Sequence, residues 1–336
     1  MKIRKILKII LSILGISFLI FFIFFFVGRA PKAEKITWGI SFSQKQAELL
    51  KIPWKENYLA ILDDLKAPAI KITAYWDLIE QKPDEYYFDD LDFQVKEAEN
   101  RNVKIILTLG RKVPRWPECH IPDWAKNLNQ QEQEKKLLEY LKKIVLRYQD
   151  SKMIWAWQVE NEPFFPFGEC PSISENFLKE EISLVKSSDY KNRPVIISDS
   201  GSSSFWIKTA ELGDMVSISL YKKVWFHEFN AYVDYPFPGI FYWRKAQIIK
   251  TLFGKDVICG ELQTEPWGPI LLNDLSLEEQ QKTMNLEQFR KNIELAKNTG
   301  FNQFYFWGAE WWYWMKTTQN QPEIWNEAKK LIGELK

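Results

Sequence analysis

Trp157-Gln158-Val159-Glu160-Asn161-Glu162-Pro163 closes an apolar run that begins at Met153. Farther along the chain, Val257-Ile258-Cys259-Gly260-Glu261-Leu262-Gln263 has the same design, an apolar strand that gives way to a loop at a glutamate. Carboxyl groups at the ends of two separate strands can be held at opposed points of one cleft, the arrangement that acid/base and nucleophilic chemistry on a glycosidic bond needs. A glutamate at a strand end is also a common solvated cap, so Glu160 or Glu265 alone carries little weight. Glu162 carries more, because the surrounding chain agrees with it.

Working outward, short apolar runs alternate with longer amphipathic ones. Strands are expected near Ile36 to Phe42, Ala69 to Tyr75, Val103 to Leu109, Met153 to Val159, Val195 to Ser198, Met215 to Leu220, Asp256 to Glu261 and Asn302 to Trp307. Helical periodicity is clearest over Leu91 to Asn100, Gln130 to Tyr148, Leu277 to Asn298 and Pro322 to Leu335. Eight strand-helix units in one domain are the count of an α/β (β/α)8 barrel, whose functional groups gather at the C-terminal ends of its strands. A doubly wound open sheet is the alternative, but no glycine-rich phosphate loop follows the first strand. Neither an internal repeat nor a second linker interrupts residues 36–336, which are read as one domain.

Composition narrows the chemistry. With 45 Lys and Arg against 44 Asp and Glu the net charge is +1, and no basic block follows the membrane-proximal region, so nucleic acid is not an expected partner. The 16 tryptophans exceed ordinary usage, and indole faces stack on the C–H faces of sugar rings or fill cores equally well. Neither His120 nor His227 has a partner at metal-ligand spacing, and no Gly-x-Ser-x-Gly elbow occurs. No cofactor or metal is implied.

Ile9 to Val27 contains no charged residue and is long enough to span a bilayer as a helix. Lys2, Arg4, Lys5 and Lys8 precede it, so residues 1–8 are expected in the cytoplasm and the remainder outside. An uncleaved signal anchor is preferred to a signal peptide, because Pro31 would follow the only small-residue cleavage site and the apolar run is long. Residues 28–35 then form a linker. Cys259 lies in an apolar strand and reads as a buried thiol, whereas Cys119 and Cys170 lie in loops after strands and are candidates for pairing.

Taken together, these motifs resemble the large clan of retaining glycoside hydrolases with (β/α)8 barrels, the cellulase and β-galactosidase-like clan A. The resemblance covers Ile36 to the C-terminus and rests on Gln158-Val159-Glu160-Asn161-Glu162, Gly260-Glu261-Leu262, Tyr75-Trp76 with Ile79-Glu80, Tyr221, and Phe306-Trp307-Gly308. It implies that Glu162 is the general acid/base and Glu261 the nucleophile. It further implies that Asn161 binds the sugar 2-hydroxyl, Tyr221 holds the nucleophile and Trp307 floors the site. Such roles need one glutamate protonated and its partner ionised near neutral pH, which only unlike surroundings can arrange.

Lys71 departs from the clan, which carries an arginine there; lysine keeps the charge but cannot form a planar fork. Strict alternation would also put Glu160 and Glu162 on one face, so a bulge or a strand end is required between them. Alternation through Val257, Cys259 and Glu261 selects Glu261 over Glu265 as the barrel-facing glutamate. Gly110 to His120 is read as part of the substrate wall. Trp76, Trp116, Trp267 and Lys71 join Asn161, Tyr221 and Trp307 as expected substrate-binding residues. The expectation is a membrane-anchored, extracytoplasmic retaining glycosidase acting on a β-linked glycan. A transglycosidase and an inactive carbohydrate-binding barrel are the alternatives.

Overall fold

A computed structural model describes residues 2–333. Eight parallel strands close into a barrel in the order β1-β10-β9-β6-β5-β4-β3-β2. They are β1 (Thr37–Ser41), β2 (Ala69–Thr73), β3 (Lys104–Leu109), β4 (Ile154–Val159), β5 (Val195–Ser200), β6 (Met215–Leu220), β9 (Val257–Gln263) and β10 (Gln303–Trp307). Between β6 and β9 the chain inserts an antiparallel hairpin, β7 (Lys223–Phe226) and β8 (Ala231–Asp234), which the periodicity did not signal. Each of its strands has only four residues and lies on the surface, so it carries no long apolar alternation.

The helices, in chain order, are α1 (Lys2–Phe26), α2 (Gln44–Leu49), α3 (Trp54–Asp63), α4 (Trp76–Ile79), α5 (Asp89–Asn100), α6 (Gln130–Tyr148), α7 (Glu175–Ser188), α8 (Ile207–Leu212), α9 (Gly239–Phe253), α10 (Leu277–Gln281), α11 (Leu286–Lys297), α12 (Ala309–Thr317) and α13 (Glu323–Gly333). The single helix expected over Leu277 to Asn298 is two. The first ends at Gln281, and Asn285 caps the second, its side chain accepting from Gln288 N, because an Asx side chain competes for the backbone donors a continuous helix would use.

Two layers of side chains set the position of the site. Ala69, Ile106, Ala156, Ile196, Ile258 and Tyr305 pack together inside the barrel. Two residues farther along their strands, on the same face, come Lys71, Thr108, Gln158 and Ser198, all buried. The barrel interior is therefore apolar below and polar toward its C-terminal mouth. Outside, the opposite strand faces pack against the helices in one continuous core.

Helix α1 stands apart from this packing for most of its length. Arg4–Phe26 is long and apolar enough to cross a membrane, and its side chains are exposed along the helix until Phe25.

Candidate active site

Strand β4 ends at Val159, and Glu160 and Glu162 both adopt left-handed backbone, with φ of 57° and 42°. These turns separate two glutamates that strict alternation would have kept on one face. Glu160 points behind the site, where its carboxylate accepts from Arg111 N at 3.0 Å and Lys112 N at 2.6 Å. It faces the equally buried Glu181 of α7, and burial and the charge of Glu160 push the Glu181 carboxyl well above the usual carboxylate range. Glu160 thus pins the loop after β3. Glu162 turns into the mouth of the barrel, where its N–H donates to Ser198 Oγ at 2.8 Å and its Oε1 accepts from Ser219 Oγ at 2.6 Å.

The other glutamate arrives by a different device. Cys259 packs in the layer between barrel and helices, while Ile258 lies inside the barrel, so plain alternation would turn Glu261 outward. The premise that Val257, Cys259 and Glu261 share the barrel-facing side is therefore corrected. Between Ile218 opposite Cys259 and Ser219 opposite Glu261 the register shifts by one residue, and this bulge at Gly260 brings Glu261 inward. Gly260 is needed there because a Cβ would meet Ser217 Oγ at 2.1 Å. Glu261 Oε1 accepts from Lys71 Nζ at 3.0 Å, and Oε2 accepts from the Tyr221 hydroxyl at 3.2 Å. Lysine at this position supplies one charged bond, without the fork an arginine would form.

The loop after β3 supplies a third carboxyl. Cys119 and Cys170 form a disulfide with Cα atoms 4.7 Å apart, tying this loop to the one after β4. Beside it, Glu118 is buried at the cleft, accepting from Asn161 Nδ2 at 3.3 Å, with Oε2 lying 4.0 Å from Lys112 Nζ. Gly168 adopts a φ of 86° and allows the two loops to close, since a Cβ there would lie 2.8 Å from Glu118 Cβ and from Pro117 O. Arg115 reaches farther in. Its guanidinium bonds to Glu265, donates to Glu310 Oε2 at 3.1 Å and lies 3.7 Å from the centre of the Trp307 ring.

Electrostatics distinguish these carboxyls. Burial, followed by the charge of Glu261, pushes Glu162 up to about 7, against the opposing pull of the Ser219 hydroxyl. Burial and the charge of Glu162 hold Glu118 well above the usual carboxylate range. Burial raises Glu265 despite Arg115, and raises Glu310 to about 7.

The residues singled out from sequence divide accordingly. Asn161, Glu162, Tyr221, Glu261, Lys71 and Trp307 converge on the barrel mouth. Trp267 packs edge-on against Tyr221 at 5.2 Å and meets Phe167 at 5.4 Å, while Trp116 lies half exposed 6.0 Å from Phe167. Trp76 does not join them. It is fully buried against Tyr140 and Trp124 and donates to Glu80, so it is a core residue with no face for a sugar. Sequence reasoning took Lys112, Arg115 and Glu118 only collectively, as part of the Gly110 to His120 substrate wall, and passed over Ser219 and Phe167. Glu118 and Phe167 were within reach, since both flank the cysteine pair; Ser219 carried no signal, being one serine among many.

A family model described as "Apiosidase-like, catalytic domain" matches residues 54–234, more than half of the chain. The chain belongs to this apiosidase-like family. No curated protein matches the chain in sequence. Among solved structures, the apiosidase-like barrel is similar to a β-galactosidase from the psychrophilic Marinomonas ef1, at 13% identity and a TM-score of 0.57 over 89% of this chain and 59% of that one. It is similar also to the exo-β-1,4-mannosidase Op5Man5 from Opitutaceae bacterium strain TAV5, at 12% identity and a TM-score of 0.53 over 83% of this chain and 53% of that one. An endo-β-1,4-xylanase from Gloeophyllum trabeum matches at 14% identity and a TM-score of 0.52, over 84% of this chain and 86% of that one. The chain thus spans between half and three-fifths of the first two enzymes. At these identities the likeness is one of fold: the apiosidase-like chain shares with these glycosidases a closed barrel of eight parallel strands.

Proposed function

We propose that this protein is a retaining glycosidase acting on β-linked glycosides, with Glu162 as acid/base and Glu261 as nucleophile. One observation carries the reading: two glutamates from the ends of β4 and β9 enter one cleft in opposite surroundings. Glu162 is lifted to about 7 and keeps a proton to give, whereas Glu261 faces the Lys71 ammonium and the Tyr221 hydroxyl. In the first step Glu261 attacks the anomeric carbon as Glu162 transfers its proton to the departing oxygen. In the second, Glu162 takes a proton from water, the water oxygen bonds to the anomeric carbon, and Glu261 leaves as a carboxylate.

Asn161 and Glu118, hydrogen-bonded to each other beside Glu162, are suited to the hydroxyls of the bound sugar. Trp307 offers only the face that Arg115 does not cover. The family description makes a terminal apiosyl group the first sugar to test. Full-length protein should be screened on aryl β-glycosides including the β-apioside, and the active compound rebuilt as a 2-fluoro glycoside. Covalent trapping on the peptide carrying Glu261, with the product released in the β configuration, is the expected result. Label on Glu265, or an inverted product, would defeat the assignment.

A further inference from the structure

The last turn of α1 belongs to two structures at once. The uncharged run from Ile9 to Phe26 rises about 27 Å as a helix at about 1.5 Å per residue, against a hydrocarbon core about 30 Å thick. Counted over Arg4–Phe26 the helix rises about 34 Å at about 1.5 Å per residue, so less than one turn is left over to hold the barrel away from the bilayer. Yet this same end packs on the barrel: Phe25 is buried against Phe205 and Phe241, at ring separations of 5.8 and 5.7 Å. Phe26 meets Phe237 at 6.2 Å and Phe241 at 5.6 Å, and the Arg244 guanidinium lies 4.9 Å from the centre of the Phe24 ring. The residues that complete the crossing are the residues the barrel holds.

This contact lies close to the cleft. Phe237 stacks on Tyr235 at 6.2 Å, and Tyr235 N donates to Lys222 O at 2.8 Å. Lys222 follows Tyr221, whose hydroxyl reaches Glu261. The connection from β6 to α9 therefore carries, in order, the tyrosine on Glu261, a hairpin and the aromatic seat of α1. Large apolar side chains are exposed along the same region: Phe229 at the hairpin turn is 72% exposed, and Phe205, already touching Phe25, is 48% exposed. Arg244 lies at the α1 seat, and Lys222 and Lys223 open the hairpin, where Lys222 pairs with Asp234 and Glu228 precedes Phe229. Exposed aromatics with basic neighbours, continuous with a membrane-crossing helix, fit the interfacial zone of a bilayer.

We propose that the barrel rests on the leaflet from which α1 emerges, with Phe205 and Phe229 in the lipid interface, and that its substrate is a glycan borne by a lipid of that membrane. The substrate half of this proposal rests on the glycosidase reading above; the orientation half does not. A cleft rim held at the bilayer meets a lipid-linked head group at high local concentration, whereas a long soluble polysaccharide must thread between protein and membrane.

Two experiments on the full-length protein in vesicles test it. Phe205→Cys, Phe229→Cys and, as a control, Tyr87→Cys are labelled with bimane and exposed to lipids carrying a nitroxide near the head group. Tyr87 follows β2, which lies across the barrel from β6, and is itself half exposed. Strong quenching at 205 and 229 with little at 87 is expected; equal quenching at all three, or release of a soluble form lacking α1, overturns the proposal. In the second experiment the sugar found in the aryl glycoside screen is placed on a sixteen-carbon alkyl chain. At least tenfold faster turnover is expected when this glycolipid shares the enzyme's vesicles than when it is in separate vesicles. Equal rates would overturn the substrate assignment, while an empty screen with selective quenching would reject the glycosidase reading and leave the orientation standing.

Discussion

Asn161 Nδ2 donates to Glu118 Oε1 at 3.3 Å, joining two loops across 43 residues of sequence. The amide expected to serve a sugar hydroxyl is thereby oriented by a buried acid that the motifs did not reveal. Glu118→Ala frees this amide and removes the proposed sugar contact, so KM should rise about tenfold with a smaller change in kcat, the loss expected for a hydrogen bond to a buried polar group. Glu118→Gln, which retains an acceptor, should stay within about threefold of the parent. A collapse of kcat in Glu118→Gln would move Glu118 into the chemistry itself.

For Glu162→Ala, loss of the general acid should cost about 10²- to 10⁴-fold on glycosides with poor leaving groups and much less on activated aryl glycosides. Added azide should restore turnover by replacing the missing base at the second step. Equal losses on both substrate classes without rescue would point to another residue.

The acid must hold its proton, so kcat/KM should fall as pH rises through about 7, where Glu162 titrates. The Ser219 hydroxyl stabilises the ionised form and holds this value down. In Ser219→Ala the alkaline limb should therefore move to higher pH. A shift to lower pH in the rate profile would contradict the assignment of that limb to Glu162.

Lys71 and Glu261 form a buried ion pair. Removing one partner of such a pair costs about 3–5 kcal/mol, so Lys71→Met should lower stability in urea unfolding and reduce kcat at least a hundredfold. Lys71→Arg keeps the charge and should retain kcat within about tenfold. An active Lys71→Met enzyme would show that Tyr221 alone suffices to hold the nucleophile.

The Cys119–Cys170 bond closes a loop across 51 residues. Opening it in Cys119→Ser should cost about 2–4 kcal/mol of stability and raise KM, because Glu118 and Phe167 lie on the two loops it joins. Thermal unfolding and kinetics in the same buffer check both effects. An unchanged KM would separate the bridge from substrate binding.

How much of this was legible can be read from particular residues. The barrel strands were recoverable because each is a short apolar run bounded by turns, and the two glutamate segments stood out because each ends such a run. Asn161, Tyr221 and Trp307 followed from motif order along the chain. The split of Leu277 to Asn298 into two helices was hidden, since an apolar helical face persists through Asn285 while only local capping breaks the hydrogen bonds. The hairpin escaped notice because its strands are too short to alternate.

What the sequence determined by itself was the count of barrel strands, the apolar helix at the N-terminus and the identity of the two strand-end glutamates, all local properties of pattern and residue type. Tertiary structure decided which way those glutamates face. Left-handed turns at Glu160 and Glu162 and a register shift at Gly260 overrule simple alternation, and pairing between neighbouring strands sets such shifts. It also decided that Trp76 belongs to the core, that Glu118 reaches Asn161, and that Phe25 and Phe26 seat on the barrel. Each of these depends on groups far apart in the chain meeting in a dry interior, where charge and burial shift a carboxyl that residue type alone would leave ionised.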